Sequence, residues 1–291
     1  MNAILEVQGL AKKYKKSDFR LNNVSFILPS GAIMGLVGEN GSGKTTMIGC
    51  ILNTLIKDSG TVKAFGKEMN DRSTELRNDI GVVFDANNFS DELTAARLSS
   101  VMWQIYSKWD NDLFNEYLRK LNLPINKKIK TFSRGMTMKL GIATALSHRP
   151  KLLILDEATS GLDPIAREEL LDVFLDFVQD ENHSILLSSH IITDLEKIAD
   201  YITFIHDGNI IFSEKKDELI YNYGVIRCKS TQFAEIDTQD ILAYRKHDYQ
   251  IDVLIADRQT AERKYRGFVI DNVSIEEIML LLVKGENNEK K

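Results

Sequence analysis

Apolar residues in this chain of 291 residues fall into short near-continuous runs separated by stretches at helical spacing. Ile4 to Val7 reads as a strand, followed by a polar stretch, Lys12 to Arg20, that carries Tyr14. Leu21 to Leu28 alternates with period two, placing Val24, Phe26 and Leu28 on one face, and stops at the turn Pro29-Ser30-Gly31. Ala32 to Val37 is an apolar run of the kind buried as a strand, and Thr46 to Ile56 reads as a helix. Gly60 to Phe65 is a short strand, Asp71 to Asp79 a short polar helix, and Ile80 to Phe84 a buried strand ending at Asp85.

The character changes after Asp85. Glu92 to Arg149 is almost wholly helical in pattern, with one break at Leu123-Pro124. Leu98, Val101, Met102, Ile105 and Trp109 recur at helical spacing; a helix core explains this stripe better than a docking face. Lys151 to Asp156 and Ser184 to Ser188 return to apolar strands, separated by a helix from Pro164 to Val178. A helix from Ile191 to Ala199 and a hairpin, Tyr201 to His206 with Ile210 to Phe212, turning at Asp207-Gly208, complete this part. Strands alternating with helices predict a parallel, wound sheet with a helical insert between its halves. Beyond Tyr223 come strand candidates at 225–228, 241–244, 251–255 and 268–270, and helices at 257–265 and 274–284. The last helix opens on the capping-box pattern Ser274-Ile275-Glu276-Glu277. The expected domains are 1–223, with the helical insert at about 86–150, and a small α+β domain at 224–291 ending in a polar, disordered tail from Glu286 to Lys291.

Composition narrows the partners more than the chemistry. A net charge of −5 and a sequence pI of about 5.7 give no electrostatic reason to expect nucleic acid. Lys127, Lys128 and Lys130 form a basic cluster best explained as a solvated loop. Cys50 and Cys228 lack metal or redox spacing and read as small core residues. Met1 to Leu10 has no signal-peptide pattern, and the longest apolar candidate, Ile278 to Val283, is too short to span a bilayer. The expected location is cytoplasmic, with any membrane role arising through a partner.

The chemistry begins at Gly38-Glu39-Asn40-Gly41-Ser42-Gly43-Lys44-Thr45, followed by Thr46. This fits the P-loop spacing G-x-x-x-x-G-K-S/T between a strand and a helix. Its glycines let backbone N–H groups turn inward around phosphate oxygens, and the following helix adds its positive end. Lys44 would reach the terminal phosphates of a nucleoside triphosphate, and the Thr45 hydroxyl would ligate Mg²⁺. The apolar run Leu152 to Leu155 then delivers Asp156 and Glu157, a second Mg²⁺ contact and a base for the attacking water.

Between these motifs, Thr131-Phe132-Ser133-Arg134-Gly135-Met136 precedes a helix. Here the chain resembles the ATP-binding cassette family, whose signature reads L-S-G-G-Q; Ser133 and Gly135 are retained, while Phe132, Arg134 and Met136 differ. Ser160-Gly161-Leu162-Asp163 is similar to the family's D-loop, Ser188-Ser189-His190 to its switch histidine, and Tyr14 stands where an aromatic stacks on adenine, with Phe19 an alternative. The resemblance covers roughly residues 1–220. It implies a P-loop NTPase core with a RecA-like sheet, an inserted helical subdomain, and ATP with Mg²⁺ as ligands. It further implies two subunits facing head to tail, so that Ser133 and Gly135 of one contact the γ-phosphate held by the other. His190 would orient the attacking water and Asp163 would link the two sites. The family carries a glutamine where this chain has Asp85; the carboxylate would keep the metal contact without the amide's donor, which Asn87 or Asn88 could supply instead.

The resemblance implies an ATPase subunit powering separate membrane-spanning subunits, of the bacterial export type linked to peptides and antimicrobial resistance. It would work as a homodimer or with a related cassette, on the inner face of the membrane. The alternatives are a soluble ABC ATPase acting on ribosomes or DNA, which lacks support because there is no second cassette or long coiled coil, and a regulatory cassette, supported only by Asp85. A P-loop GTPase is opposed by the absence of an Asn-Lys-x-Asp motif.

Overall fold

The computed structural model describes residues 2–15, 18–70, 72–85 and 89–286. Asn87, Asn88 and the tail beyond Glu286 lie outside the described residues. The first compact unit is Met1–Ser213 and the second Glu214–Lys291, a division earlier than the expected 223/224 boundary.

In the first unit the strands are β1 (Ala3–Lys13), β2 (Arg20–Pro29), β3 (Ile33–Val37), β4 (Ser59–Ala64), β5 (Lys67–Glu68), β6 (Ile80–Val83), β7 (Leu152–Asp156), β8 (Ser184–Ser189), β9 (Tyr201–His206) and β10 (Asn209–Lys215), the last running into the second unit. The helices are α1 (Lys44–Ile51), α2 (Thr74–Arg77), α3 (Ala95–Ile105), α4 (Asn111–Lys120), α5 (Arg134–Leu146), α6 (Pro164–Phe177) and α7 (Ile192–Ile198).

These strands form two sheets rather than one. The six-stranded sheet has the order β10-β9-β3-β8-β7-β6, and β3, β8, β9, β7 and β6 pair in parallel. Every residue of β3, β7 and β8 is buried, which is why these strands read as unbroken apolar runs. The remaining strands form an antiparallel sheet, β2-β1-β4-β5, whose alternation of buried and exposed positions shows one covered face. One apolar cluster joins both sheets through α1: Met47, Ile48 and Ile51 lie with Leu36 and Ile154 on one side and Val7 and Phe26 on the other.

Three local expectations needed correction. α1 ends at Ile51, not Ile56, because the chain folds back: the N–H groups of Thr54 and Leu55 both donate to Gly49 O, and Asn53 adopts φ 57°. The helical insert has a second break, between Ile105 and Asn111. The stripe on α3 is a core face only in part: Leu98 is buried and Met102 half-buried, but Val101 and Ile105 are 40% and 61% exposed, and Trp109, also buried, packs on Phe114 beyond the helix. Lys128 and Lys130 of the basic cluster both pair with Glu92, which lowers that carboxyl to about 2.

The turn between β9 and β10 helps fix the P-loop. Asp207 and Gly208 have φ 45° and 73°, a primed hairpin turn. Gly208 N–H donates to Ser42 O at 3.0 Å, and a β-carbon there would lie 1.8 Å from Arg20 O. Gly208→Ala is therefore expected to cost about 2–3 kcal/mol, from adverse φ and forced backbone displacement. A urea denaturation midpoint unchanged from the parent would contradict this packing.

The second unit contains α8 (Lys216–Asn222), β11 (Gly224–Cys228), α9 (Ser230–Phe233), β12 (Ala243–Lys246), β13 (Ile251–Ile255), α10 (Arg258–Lys264), β14 (Val269–Asn272) and α11 (Ile275–Lys284). Its antiparallel sheet runs β12-β13-β11-β14 over a core of Ile226, Cys228, Val253, Ile255 and Tyr265. Ser274 Oγ accepts from Glu277 N–H as a cap, while the Glu277 carboxylate binds Arg227 on β11 at 2.7 Å.

Candidate functional site

The parallel sheet delivers most of the expected residues to the C-terminal ends of its strands, where ligands bind in open α/β sheets. Gly38 follows β3 at a point where a β-carbon would lie 2.4 Å from Ile205 O, so only glycine allows this approach to β9. Gly43, at φ 114°, forms the N-cap of α1 without a side chain. By contrast, α3, α4, α5, α6 and α11 open on side-chain caps from Thr94, Asp110, Ser133, Asp163 and Ser274. The uncapped N–H groups of α1 remain available to an anion. Ser42 Oγ is buried in the same loop with no hydrogen-bond partner, whereas Glu39, Asn40 and Gly41 are exposed. A buried orphan hydroxyl beside uncapped amides fits a phosphate group.

Two side-chain networks converge on this loop. Buried Lys44 donates from Nζ to Gly38 O at 2.7 Å and Glu39 O at 3.2 Å, and lies 3.3 Å from Glu157 Oε1. The other carboxylate oxygen, Glu157 Oε2, lies 2.6 Å from His190 Nδ1. Thr45 Oγ1 donates to Asp156 Oδ2 at 2.8 Å, and Ser188 Oγ donates to Asp156 Oδ1 at 2.5 Å. A hydroxyl and a carboxylate so placed are hard oxygen donors suited to Mg²⁺, which takes few protein ligands and fills its shell with phosphate and water.

Glu157 has φ 54°, a left-handed backbone rare for this residue type. Its N–H is held by Ser188 O at 3.1 Å and Ser188 Oγ at 3.2 Å. The turn re-aims the carboxylate from the end of β7 toward Lys44 and His190, a strain of the kind found at active sites. Ser188 thus positions both acids, a role the sequence reading did not give it. Ser188 stands opposite Asp156 in the β7–β8 register, a pairing that the local sequence pattern does not signal.

Tyr14 OH lies 3.4 Å from Thr46 Oγ1, with its ring 6.4 Å from that of Phe19. Ser133, Asp163 and Asp85 hydrogen-bond to partners outside this cluster. Ser133 caps α5, its Oγ accepting from Met136 N–H, so the hydroxyl proton is free to point outward; Gly135 lies in the first turn of that helix. Asp163 caps α6 through the N–H groups of Ile165 and Ala166, and these bonds lower its carboxyl below the ordinary aspartate range. Asp85 does not share a hydrogen bond with the Thr45–Asp156 pair. Its carboxylate accepts from Arg134 in a half-exposed ion pair.

The pattern of the ABC transporter family matches residues 21–160. Over 216 residues the chain is 37% identical to a lantibiotic transport ATP-binding protein, SrtF, of Streptococcus pyogenes, covering 74% of this chain and 92% of that protein. The chain belongs to the ABC transporter family. It is an ATP-binding subunit with ATPase activity, and such subunits work with membrane subunits. A second relative of this ABC subunit is the bacitracin transport ATP-binding protein BcrA of Bacillus licheniformis, 33% identical over 213 residues, covering 72% of this chain and 69% of that one. The fold is shared with a dimeric post-hydrolysis state of the ATP-binding cassette MJ0796 bound to ADP and Pi, at TM-score 0.66 and 24% identity, covering 72% and 98% of the two chains. Among its described residues the ABC subunit has no helix long and apolar enough to cross a membrane.

Proposed function

We propose that this subunit drives an exporter of peptides or peptide antimicrobials, working as a pair of cassettes that complete each other's nucleotide sites. The observation that carries the paired reading is the separation of the machinery. Lys44, Glu157 and His190 form one bonded cluster, while exposed Ser133 presents a helix N-terminus outside it. In the dimeric solved cassette, ADP and Pi are bound. The relatives that transport lantibiotics and bacitracin support the peptide class.

In this reading Tyr14 stacks on the adenine and residues 38–46 bind the phosphates. Thr45 and Asp156 hold Mg²⁺, which when bound neutralises charge on the phosphate oxygens. Lys44 transfers its ammonium from Glu157 to the phosphates, leaving the Glu157 carboxylate able to accept a proton from water. His190 fixes that carboxylate through Nδ1. Ser133 Oγ and Gly135 N–H of the second cassette donate to the terminal phosphate, and Asp163 lies at the junction between the two sites.

The membrane subunit would dock in a cavity of about 360 Å³ lined by Val82, Phe84, Met102, Tyr106, Met138 and His148, beside the exposed face of α3. The cassette then sits peripherally on the cytoplasmic face of the membrane. The paired reading is tested by ATP turnover per molecule across a broad dilution series. Turnover should fall with dilution as pairs separate; a rate indifferent to dilution in a strictly monomeric protein would refute it.

A further inference from the structure

Two departures from the family pattern meet in space. Asp85 stands where the family has glutamine, Arg134 stands in the signature where it has glycine, and the two side chains form an ion pair across a sequence separation of 49. Both are about half exposed, so the pair is free to separate. The Arg134 guanidinium also covers Gly161: a β-carbon there would lie 2.8 Å from Arg134 Nη1. One side chain therefore bridges the end of β6, the start of α5 and the turn before Asp163.

Arg134 occupies an unfavourable position for a cation. It is the first residue of α5, whose N-terminal end is already positive, and the first turn of that helix contains no acid. An anion must come from outside the helix. Asp85 supplies it within the chain. Next to Arg134, the Ser133 hydroxyl and Gly135 N–H form the donor set assigned above to the partner's nucleotide.

We propose that Arg134 is a phosphate-binding positioning residue held in reserve by Asp85: on pairing, its guanidinium exchanges the Asp85 carboxylate for the terminal phosphates of the nucleoside triphosphate bound by the other copy. This rests on the two-cassette reading. An exposed Arg–carboxylate pair held by one guanidinium nitrogen is weak, whereas a polyanionic phosphate offers more charge and can accept two guanidinium N–H bonds. Asp85 then opposes pairing and Arg134 favours it, although they bind each other.

The opposite signs make the test. In a Glu157→Gln background that retains ATP, the ATP concentration giving half-maximal pairing is measured by analytical ultracentrifugation. Asp85→Asn should lower it about two- to fivefold, the range of an exposed ion pair. Arg134→Gln should raise it about tenfold or more, as expected for a lost charged hydrogen bond. The double variant should match Arg134→Gln alone. If both single changes shift the midpoint in the same direction, or Arg134→Gln leaves it unmoved, the pair is only a strut and the proposal is wrong. A Glu157→Gln parent that fails to pair with ATP would instead overturn the two-cassette reading, and this inference with it. Both positions are solvent-facing, and unchanged thermal unfolding of each variant checks that the fold persists.

Discussion

Lys44→Ala should reduce ATP affinity roughly 10²- to 10⁴-fold, corresponding to the about 3–5 kcal/mol lost when one partner of a buried charge pair is removed. Two features make the effect large. The ammonium is buried in the loop, donating to Gly38 O and Glu39 O. Its removal also leaves Glu157 Oε1, 3.3 Å away, buried with an uncompensated charge that repels incoming phosphate. Calorimetric titration with ATP checks this, and an affinity equal to the parent's would exclude the P-loop as the binding element.

Glu157→Gln should lower kcat by on the order of 10²–10⁴ while leaving ATP binding intact or tighter. The amide keeps the size and the oxygen facing His190 Nδ1, but it takes no proton from water. It also removes the negative charge that competes with phosphate for Lys44. The expected signature is slow phosphate release with accumulation of an ATP-bound pair on gel filtration. Turnover close to the parent's would mean that another group is the base.

The parts of this site that the sequence exposed are those whose chemistry is local. A strand, a glycine loop and a helix follow one another within residues 33–51, and their spacing alone brings Lys44 and Thr45 to one end of the sheet. Asp156 and Glu157 were legible because an apolar strand must release its polar residues at its end. Long-range pairing was not legible. Nothing in the local pattern of 59–64 or 3–13 distinguishes an antiparallel ladder from a place in the parallel sheet. The left-handed turn at Glu157 depends on Ser188 from the next strand, and the Asp85–Arg134 pair joins segments on opposite sides of the helical insert. The exposure of Val101 and Ile105 was missed for a related reason: periodicity shows that apolar residues share a face, not what lies against it.

The pairing of β3 has a consequence for how the protein comes to be made. Its neighbours are β8 and β9, so Ile33 lies beside Ile185 and Val37 beside Phe204. The nucleotide loop is therefore complete in sequence long before the strands on which it rests have left the ribosome. Contacts of such separation form late. A growing chain therefore carries its phosphate-gripping residues without their flanking strands through most of its synthesis.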